Sequence, residues 1–328
     1  MRQKFVFLLA ALAFLMLAGC GGGTLSDNKA EQYTADGGTV TEPIKNLEIQ
    51  WVSGSVEICQ GTEDQVTFRE TADRVLSDDF VMGWRLEGET LYIDFCAANS
   101  WTLDIPDKAL TVTLPQDLVL ESVQVTTTSA TVHAPALQAR EVVCDTTSGD
   151  LTAQLLGTET IQVNTVSGAV EVTALDDAKQ VKAATTSGNV NLTLGYADQL
   201  DVTTISGVTR ITADECRQTD LNSTSGNVAL DLQSSSGDCE VTTVSGEVTL
   251  SLPENADAAV EFNTVSGSFD SALSLRKEGD CYLSGSGQNR YQVKTTSGSL
   301  RMEAKEGGSR GFGQKTEGGT TLPALASA

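Results

Sequence analysis

The sequence predicts an all-β fold: a single-stranded parallel β-helix (β-solenoid) with right-handed coiling and about 19–20 residues per turn, or rung. Three observations support this prediction. The 328 residues include 30 glycines, many Val, Thr and Ser, and only 5% aromatic residues, which is typical of β structure. The dipeptide Ser-Gly recurs at a nearly constant spacing. Apolar and polar residues alternate on both sides of each copy, as they do in half-buried strands.

The Ser-Gly repeat sets the length of the rung. Its serines are Ser148, Ser167, Ser187, Ser206, Ser225, Ser245, Ser266 and Ser297, with a variant copy at Ser129-Ala130 and an early copy at Ser53-Gly54. The inward-facing parity changes across each Ser-Gly, which indicates a bend that glycine adopts at low cost. Because the repeat is too short for a βαβ crossover, each strand should pair in parallel with its copy one rung away. Right-handed coiling is the default for parallel crossovers.

The repeat divides the chain into segments. Residues 44–304 form the predicted β-solenoid, with an irregular part at 44–122 and regular rungs at 123–304. The irregular part is expected to cap one open end of the solenoid, since an open sheet edge invites pairing with other chains. The long gap before Ser297 contains an insertion at 274–290, which is predicted to protrude as a loop. Residues 305–328 are predicted to be a disordered tail.

The first residues predict export. Arg2 and Lys4 precede an apolar run at 5–18 that is too short to span a bilayer, so residues 1–19 are predicted to be a signal peptide. The run ends in Leu-Ala-Gly-Cys, which resembles the bacterial lipobox, and this resemblance implies cleavage before Cys20 and a diacylglycerol on its thiol. An ordinary cleaved signal with a chance cysteine is the alternative. Residues 20–43 have the composition of a flexible tether. The predicted location is the cell membrane or envelope, lipid-anchored and extracytoplasmic.

A family resemblance covers about residues 44–304. It rests on the opening strand-Ser-Gly-strand unit, the run Gly-Glu-Thr-Leu-Tyr-Ile at 88–93, the run Val-Thr-Leu-Pro at 112–115, and the Ser-Gly rungs. In these features the chain resembles an uncharacterised bacterial family known as the "putative adhesins", a domain of unknown function built of β-helix rungs. The resemblance implies binding at the cell surface, and related domains in envelope-stress proteins imply a sensing role.

Charge and composition exclude several classes of function. Lys plus Arg total 21 against 44 Asp plus Glu, a net charge of -23, so nucleic acid is excluded as a partner and a cation or basic surface is favoured. The single histidine, His133, is predicted to face solvent, which argues against His-based catalysis. The sequence has no nucleophile-elbow motif and no phosphate-binding glycine loop.

One column of carboxylates is a candidate site. Asp201, Asp220, Glu240 and Glu261 each stand five residues before a Ser-Gly serine, and we call them the acidic ladder. They are predicted to face outward on four consecutive rungs. Three interpretations remain open for the acidic ladder: a solvated acidic face with no ligand, a site for a basic partner or a cation such as Ca²⁺ held by carboxylate and amide oxygens, and the carboxylates of a polysaccharide-cleaving enzyme.

Six cysteines follow Cys20. Cys144 and Cys239 occupy inward columns and are predicted to be small buried residues. Cys59, Cys96, Cys216 and Cys281 are placed at edges or in loops, and Cys59 with Cys96 is a candidate disulfide. No Cys-x-x-Cys spacing occurs, so a structural zinc site is not expected.

The sequence therefore predicts a monomeric, lipid-anchored cell-surface binding protein, an adhesin or an envelope-stress sensing module, without catalytic activity and without a required cofactor. Its expected partners are the membrane, through Cys20, and a glycan, a surface protein or a cationic peptide. Two alternatives are a polysaccharide-active β-helix enzyme and a structural spacer with no ligand.

Overall fold

The computed structural model describes residues 34–35, 37–96, 105–235 and 237–305. These residues form an all-β, solenoid-like domain with one 3-10 turn at Asp78–Phe80. No helix among them has the length and apolar character needed to cross a membrane. The strands are β1 (Thr34–Ala35), β2 (Gly38–Val40), β3 (Asn46–Trp51), β4 (Gly54–Gly61), β5 (Val66–Ala72), β6 (Gly83–Glu87), β7 (Thr90–Asp94), β8 (Lys108–Pro115), β9 (Leu120–Thr127), β10 (Thr131–Thr146), β11 (Leu151–Leu156), β12 (Thr160–Thr165), β13 (Val170–Ala174), β14 (Ala178–Thr185), β15 (Val190–Thr204), β16 (Thr209–Ser223), β17 (Val228–Leu232), β18 (Asp238–Thr243), β19 (Val248–Pro253), β20 (Ala258–Asn263), β21 (Phe269–Ser271), β22 (Arg276–Glu278), β23 (Cys281–Ser284), β24 (Asn289–Thr295) and β25 (Leu300–Lys305).

Each regular rung has one strand before its Ser-Gly and one strand after it. The strands pair in parallel with their copies on the next rung: β12 pairs with β14, and β13 pairs with β15. Equivalent residues are register partners, as Ile161 with Val181 shows, and both side chains are buried. The parallel pairing predicted from the 19–20-residue period is confirmed. The two sets of strands enclose a core of Val, Leu, Ile and Ala side chains.

The corner of each rung is the tetrapeptide Thr-x-Ser-Gly. In the corner that ends β14, the buried Thr185 Oγ1 accepts a hydrogen bond from the Gly188 N–H at 2.9 Å. The same bond forms in the copies of this corner at Gly149, Gly168, Gly207, Gly226, Gly267 and Gly298. At these seven corners the hydroxyl two residues before the serine therefore satisfies a backbone donor at the bend, whereas the Thr243 hydroxyl, at the Ser245 corner, makes no such bond.

The corner glycine is required by the neighbouring rung. A Cβ atom on Gly207 would lie 1.7 Å from the carbonyl oxygen of Gly188, and the other corner glycines face the preceding rung in the same way. The bend was predicted from the change of parity. The structure shows why glycine is needed there. At most corners the reason is the close approach of two backbones, and not a left-handed φ.

The order of rungs in space differs from their order in sequence at the C-terminal end. Strand β24 pairs with β18 on one side and with β20 on the other, while β25 lies between β19 and β21. The last rung of the chain is therefore inserted between the Ser245 rung and the Ser266 rung. This corrects the expectation that successive copies of the repeat are always spatial neighbours.

The N-terminal end has the same arrangement. Strand β3 lies between β7 and β9, and β4 lies between β8 and β10. The first rung is thus second from its end of the stack, with the β7–β8 rung outside it. Residues 83–115 return past the first rung before the regular repeat begins.

Antiparallel strands cover the outer rung at the N-terminal end. Strand β5 pairs with β8, and β6 pairs with β7. Strands β1 and β2 then pair with β6 and β5. Since β1 and β2 lie inside the segment 20–43, which was predicted to be a flexible tether, that prediction is wrong from Thr34 onward. Its physical reason is visible at Val40, which is buried in the core.

The insertion at 274–290 covers the opposite end. Strands β22 and β23 form an antiparallel hairpin, and β23 pairs with the outer strand β20. The Tyr282 ring packs against Phe269 with a centroid distance of 4.7 Å. The prediction of a protruding loop is wrong, because the backbone of this insertion pairs with the edge strand.

A buried ion pair holds the irregular N-terminal part together. The Lys108 side chain is fully buried, and its Nζ contacts Glu70 Oε2 at 2.6 Å and donates to the carbonyl oxygens of Phe80, at 2.7 Å, and Phe95. It also lies over the Trp51 and Phe95 rings. Burial lowers the pKa of Lys108, and the Glu70 carboxylate opposes this change. One ammonium group thus joins four segments that are distant in the sequence.

Candidate functional site

A polar groove lies on the outer face of the strands that precede the corners. Its volume is about 680 Å³, and it extends across rungs that contain β14, β15, β16, β18 and β24. Its charged lining residues are Lys179, Asp198, Arg217, Asp220, Asp238, Glu240 and Arg290. The amides of Gln199, Gln218 and Gln292 also line it. The groove therefore offers charges of both signs together with hydrogen-bonding amides.

The groove contains the middle of the acidic ladder. Asp201 is the register partner of Asp220, and Asp220 is the partner of Glu240. The next position is Gln292, and Glu261 follows it. The prediction that the four carboxylates occupy consecutive rungs is wrong, because the inserted last rung places an amide between Glu240 and Glu261.

The inserted rung also brings positive charge to the acidic ladder. Lys294 Nζ contacts Glu240 Oε1 at 2.7 Å, and Arg290 contacts Glu261 Oε2 at 3.1 Å. Hydrogen bonds from Asn263, Arg290 and Gln292 hold the pKa of Glu261 below its usual value. The inserted rung thus offsets part of the repulsion within the column.

Asp220 is the perturbed member of the acidic ladder. Partial burial raises the pKa of its carboxyl group, and the charges of Glu240 and Asp201 act in the same direction. A hydrogen bond from Asn222 Nδ2 at 2.6 Å opposes them. Asp220 is therefore the carboxylate in this column whose charge is least well compensated.

The donors do not fit the predicted Ca²⁺ site. Among the residues that the structure describes, no three His, Cys, Asp or Glu side chains are grouped so that they could hold a metal ion. Lys294 and Arg290 already contact two carboxylates of the acidic ladder. A column with one carboxylate per rung does not converge on a point, whereas Ca²⁺ requires six to eight oxygens around it.

A second column of charges leads into the groove. Seven of its eight members stand eight residues before a corner serine, and the charges alternate in sign from rung to rung. In spatial order its residues are Glu89, Lys45, Glu121, Arg140, Glu159, Lys179, Asp198 and Arg217. The ion pairs Lys45–Glu89 (2.7 Å), Lys179–Glu159 (2.5 Å) and Arg217–Asp198 (3.7 Å) lie along it. We call it the alternating column.

Sequence analysis missed the alternating column. Aligning the chain on the repeated serines would have revealed the alternation from Glu121 to Arg217, since all these residues share one offset. The sequence could not have given the spatial order of the first two members. Glu89 lies before Lys45 in the stack only because the first rung is inserted between the β7–β8 rung and the β9 rung.

The alternating column stops where the groove opens. The position after Arg217 on the next rung is Gly237, where a Cβ atom would lie 2.0 Å from the carbonyl oxygen of Cys216. The backbone there excludes a side chain at this position, and the Arg217 side chain is 76% exposed. The depression beside Arg217 is thus a consequence of local backbone packing.

The six cysteines that the structure describes form no disulfides. Cys144 and Cys239 are buried, as predicted. Cys216 is also buried, so its placement at an edge or loop was wrong: β16 continues through it with the side chain inward. Burial raises the pKa of Cys216 to about 11 and that of Cys144 to about 12.

The candidate disulfide is not formed. Neither Cys59 nor Cys96 takes part in a disulfide, and Cys59 Sγ lies 3.6 Å from Thr113 Oγ1 on the adjacent strand β8. Cys59 is near the end of β4, while Cys96 follows β7. His133 is exposed, as predicted. The predicted lipid-carrying Cys20 lies outside the described residues.

Three solved structures are similar to this chain. One is a "putative lipid binding protein" from Parabacteroides distasonis, with 14% identity, a TM-score of 0.47, and coverage of 82% of this chain and 98% of that one. The second, a "putative adhesin" from the same species, has 10% identity, a TM-score of 0.44, and coverage of 82% and 97%. The third, a "putative adhesin" from Bacteroides fragilis, has 10% identity, a TM-score of 0.41, and coverage of 82% and 97%.

None of the curated proteins matches the chain. A family model does match, over residues 44–303, which is most of the sequence and includes every rung described above. It covers the outer β7–β8 rung, the inserted first and last rungs, and the groove. The chain therefore belongs to the Toastrack DUF4097 family.

Proposed function

We propose that this protein is a lipid-anchored, extracytoplasmic binding protein of the cell surface, and that it binds its partner in the groove without catalysing a reaction. The observation that carries the proposal is the groove itself: a polar depression of about 680 Å³ on an otherwise regular face. The proposal includes the right-handed, single-stranded coiling expected for a β-solenoid.

The position of the groove supports binding. Its strands β15, β16 and β18 are each hydrogen-bonded to a neighbour on both sides. Such strands form a rigid wall, and a site that is formed in advance loses little conformational entropy when a ligand binds. The charged and amide lining suits a polar partner: a glycan, a cationic peptide or a polar patch of another surface protein.

The chain's start supports the location. The charged start, the short apolar run and the Leu-Ala-Gly-Cys sequence together suit lipidation of Cys20. Replacing Cys20 with Ala should move the protein from the membrane fraction to the soluble envelope fraction. Mass spectrometry of the wild-type N-terminal peptide should find a diacylglycerol on Cys20, and an unmodified thiol there would contradict the proposed anchor.

Binding can be tested with matched variants. Labelled full-length protein in mild detergent should bind saturably to envelope fractions, a glycan array or cationic peptides. Changing Asp220 to Asn and Glu240 to Gln should weaken this binding about tenfold, since each charged contact in a partly exposed site contributes about 0.7 kcal/mol. The control changes Glu171 and Asp270, exposed acids that follow the corners and lie outside the groove, to their amides. An equal loss of binding in both double variants would contradict the proposal. The absence of any saturable binding would also contradict it and would favour the alternative of a structural spacer with no ligand.

One observation favours the enzyme alternative. Asp220, whose pKa is raised chiefly by burial, is the register partner of Glu240, and glycoside hydrolysis uses two neighbouring carboxyl groups, of which the general acid has a raised pKa. If the protein is such an enzyme, polysaccharide incubated with it should release reducing ends. The release should then be lost in the Asp220→Asn variant and kept in the Glu171→Gln variant.

A further inference from the structure

We propose that the groove binds a small zwitterion on a hydroxylated scaffold: a sugar that carries both an ammonium group and a carboxylate. This inference rests on the proposed function and specifies the ligand class of the same site. The lining contains three cationic and four anionic side chains. A ligand of one charge sign would meet repulsion from part of this lining, whereas a zwitterion can be oriented to pair with both parts.

The anion subsite lies at the end of the alternating column. Each cationic member of that column that precedes Arg217 has an acidic neighbour on both adjacent rungs. Arg217 has Asp198 on one side, at 3.7 Å, and Gly237 on the other. A carboxylate of the ligand would take the place of the missing acidic side chain, next to the guanidinium of Arg217.

A second guanidinium faces the same depression. Arg290 lines the groove on the inserted rung, two rungs and about 10 Å from the level of Arg217. Its backbone N–H donates to Asp238 Oδ1 at 2.9 Å, which fixes its strand against β18. The two arginines therefore lie on the rungs on either side of Gly237 and Asp238, and Arg290 also contacts Glu261 at 3.1 Å.

The cation subsite lies beside Asp220 and Glu240. These carboxylates are register partners on adjacent strands, and Asp220 also has Asp201 on its other side. The compensating cation Lys294 contacts Glu240 and not Asp220. An ammonium group between Asp220 and Glu240 would relieve this repulsion and form charge-assisted hydrogen bonds.

The scaffold between the two charges should carry hydroxyl groups. Amide side chains at Gln199, Gln218 and Gln292 line the groove on three different rungs. An amide both donates and accepts hydrogen bonds, so it suits hydroxyls, which do the same. The spacing of the rungs, about 4.8 Å, is close to the width of one sugar ring.

Four sugars allow the contribution of each charge to binding to be measured on its own. Muramic acid carries an ammonium and a carboxylate, N-acetylmuramic acid only the carboxylate, glucosamine only the ammonium, and N-acetylglucosamine neither. Isothermal titration of the full-length protein in mild detergent should rank muramic acid first. Each removed charge should lower affinity by at least about threefold, the value expected for one partly exposed ion pair.

Two variants assign the subsites. Changing Arg217 and Arg290 to Gln should abolish the preference for sugars with a carboxylate and keep the preference for an ammonium. Changing Asp220 to Asn and Glu240 to Gln should do the reverse. Arg210→Gln, an exposed arginine that follows a corner and lies outside the groove, should change neither preference.

The outcomes separate this inference from the function on which it rests. Equal affinity for the four sugars, or a muramic acid preference that survives both double variants, overturns the zwitterion site. If envelope fractions bind in the groove while none of the four sugars does, the proposed function stands and the ligand class is wrong. If neither binds, both proposals fail.

Discussion

At most corners the residue two positions before the serine is a threonine that acts through its hydroxyl group. Thr185 is fully buried and accepts the Gly188 N–H, whereas Thr186, the next residue, faces outward. The two positions differ by one residue in sequence and have opposite environments. They therefore allow a matched test of the corner.

Thr185→Val should destabilise the protein, because valine has nearly the same shape and leaves a buried backbone donor without its acceptor. The expected loss is about 1–3 kcal/mol in the free energy of unfolding. Thr186→Val should change it by less than about 0.5 kcal/mol. Urea denaturation measures both. Equal effects of the two variants would show that the corner hydroxyl is dispensable.

Asp220 should make stability depend on pH. Its folded-state pKa is raised, chiefly by burial, so its charged form is unfavourable in the native state above that pKa. As pH falls through the raised pKa towards the usual value, the wild type gains stability. Asp220→Asn lacks this charge and should melt about 1–3 °C higher at pH 7.

The advantage of Asp220→Asn should shrink as the pH falls through the raised pKa of Asp220, where the wild-type carboxyl group takes up its proton. Thermal melts at several pH values measure this difference. Asp270→Asn, a change at an exposed acid on β21, is the control. A lower melting temperature for Asp220→Asn at pH 7 would mean that the carboxylate stabilises the groove.

Lys108 should be the most sensitive single charge for stability. Lys108→Met leaves Glu70 buried without its cation, which typically costs about 3–5 kcal/mol. Adding Glu70→Gln should restore much of this loss. Lys45→Met breaks an exposed ion pair with Glu89 and should cost less than about 1 kcal/mol. A Lys108→Met effect no larger than that of Lys45→Met in urea denaturation would contradict this account.

At the scale of strands, the sequence predicts local pairing well and long-range order poorly. The parallel register of β12 with β14 follows from the period, because each repeat presents the same inward pattern to its neighbour. The position of β24 between β18 and β20 does not follow, since any rung could pair with any other equally well by pattern alone. The hairpin β22–β23 bears on this choice, because β23 pairs with the outer edge of β20 and leaves the inner edge of β20 to β24.

The candidate site shows the same division. The outward direction of Asp220 and Glu240 was predictable from alternation, and so was their adjacency. The neutralising contacts of Lys294 and Arg290 were not, because they come from the inserted rung. The gap at Gly237 depends on the backbone of Cys216, a contact that sequence spacing does not specify.

Crosslinking can test the rung order. A chain with Cys at positions 242 and 294, made by Thr242→Cys and Lys294→Cys, should form a disulfide, since these residues are register partners on adjacent strands. Thr242→Cys with Asn263→Cys should not, because β24 separates them by two rungs, about 10 Å. Cys20, Cys59, Cys96 and Cys281 are replaced by Ser in both chains. A disulfide in the second variant alone would show that β18 and β20 are direct neighbours, as their order in the sequence suggests, and would contradict the inserted last rung.

For the whole molecule, we expect the two ends of the stack to determine whether copies of the chain associate. A parallel stack of rungs could in principle continue by pairing its outer strands with another copy. At the N-terminal end β5 and β6 pair with the outer rung, and at the C-terminal end β23 pairs with β20. Both caps are antiparallel, so they end the parallel register.

Replacing residues 276–284 with a short Gly-Ser linker should therefore cause end-to-end association. The change exposes the β20 edge and removes the Tyr282 ring from Phe269, so a new apolar edge faces solvent. Light scattering coupled to size-exclusion chromatography should find dimers or larger species that depend on concentration. Arg276→Ser with Lys277→Ser, which keeps the hairpin backbone, should remain monomeric. If the linker variant stays monomeric at tens of micromolar, the cap is not what keeps the stack from growing.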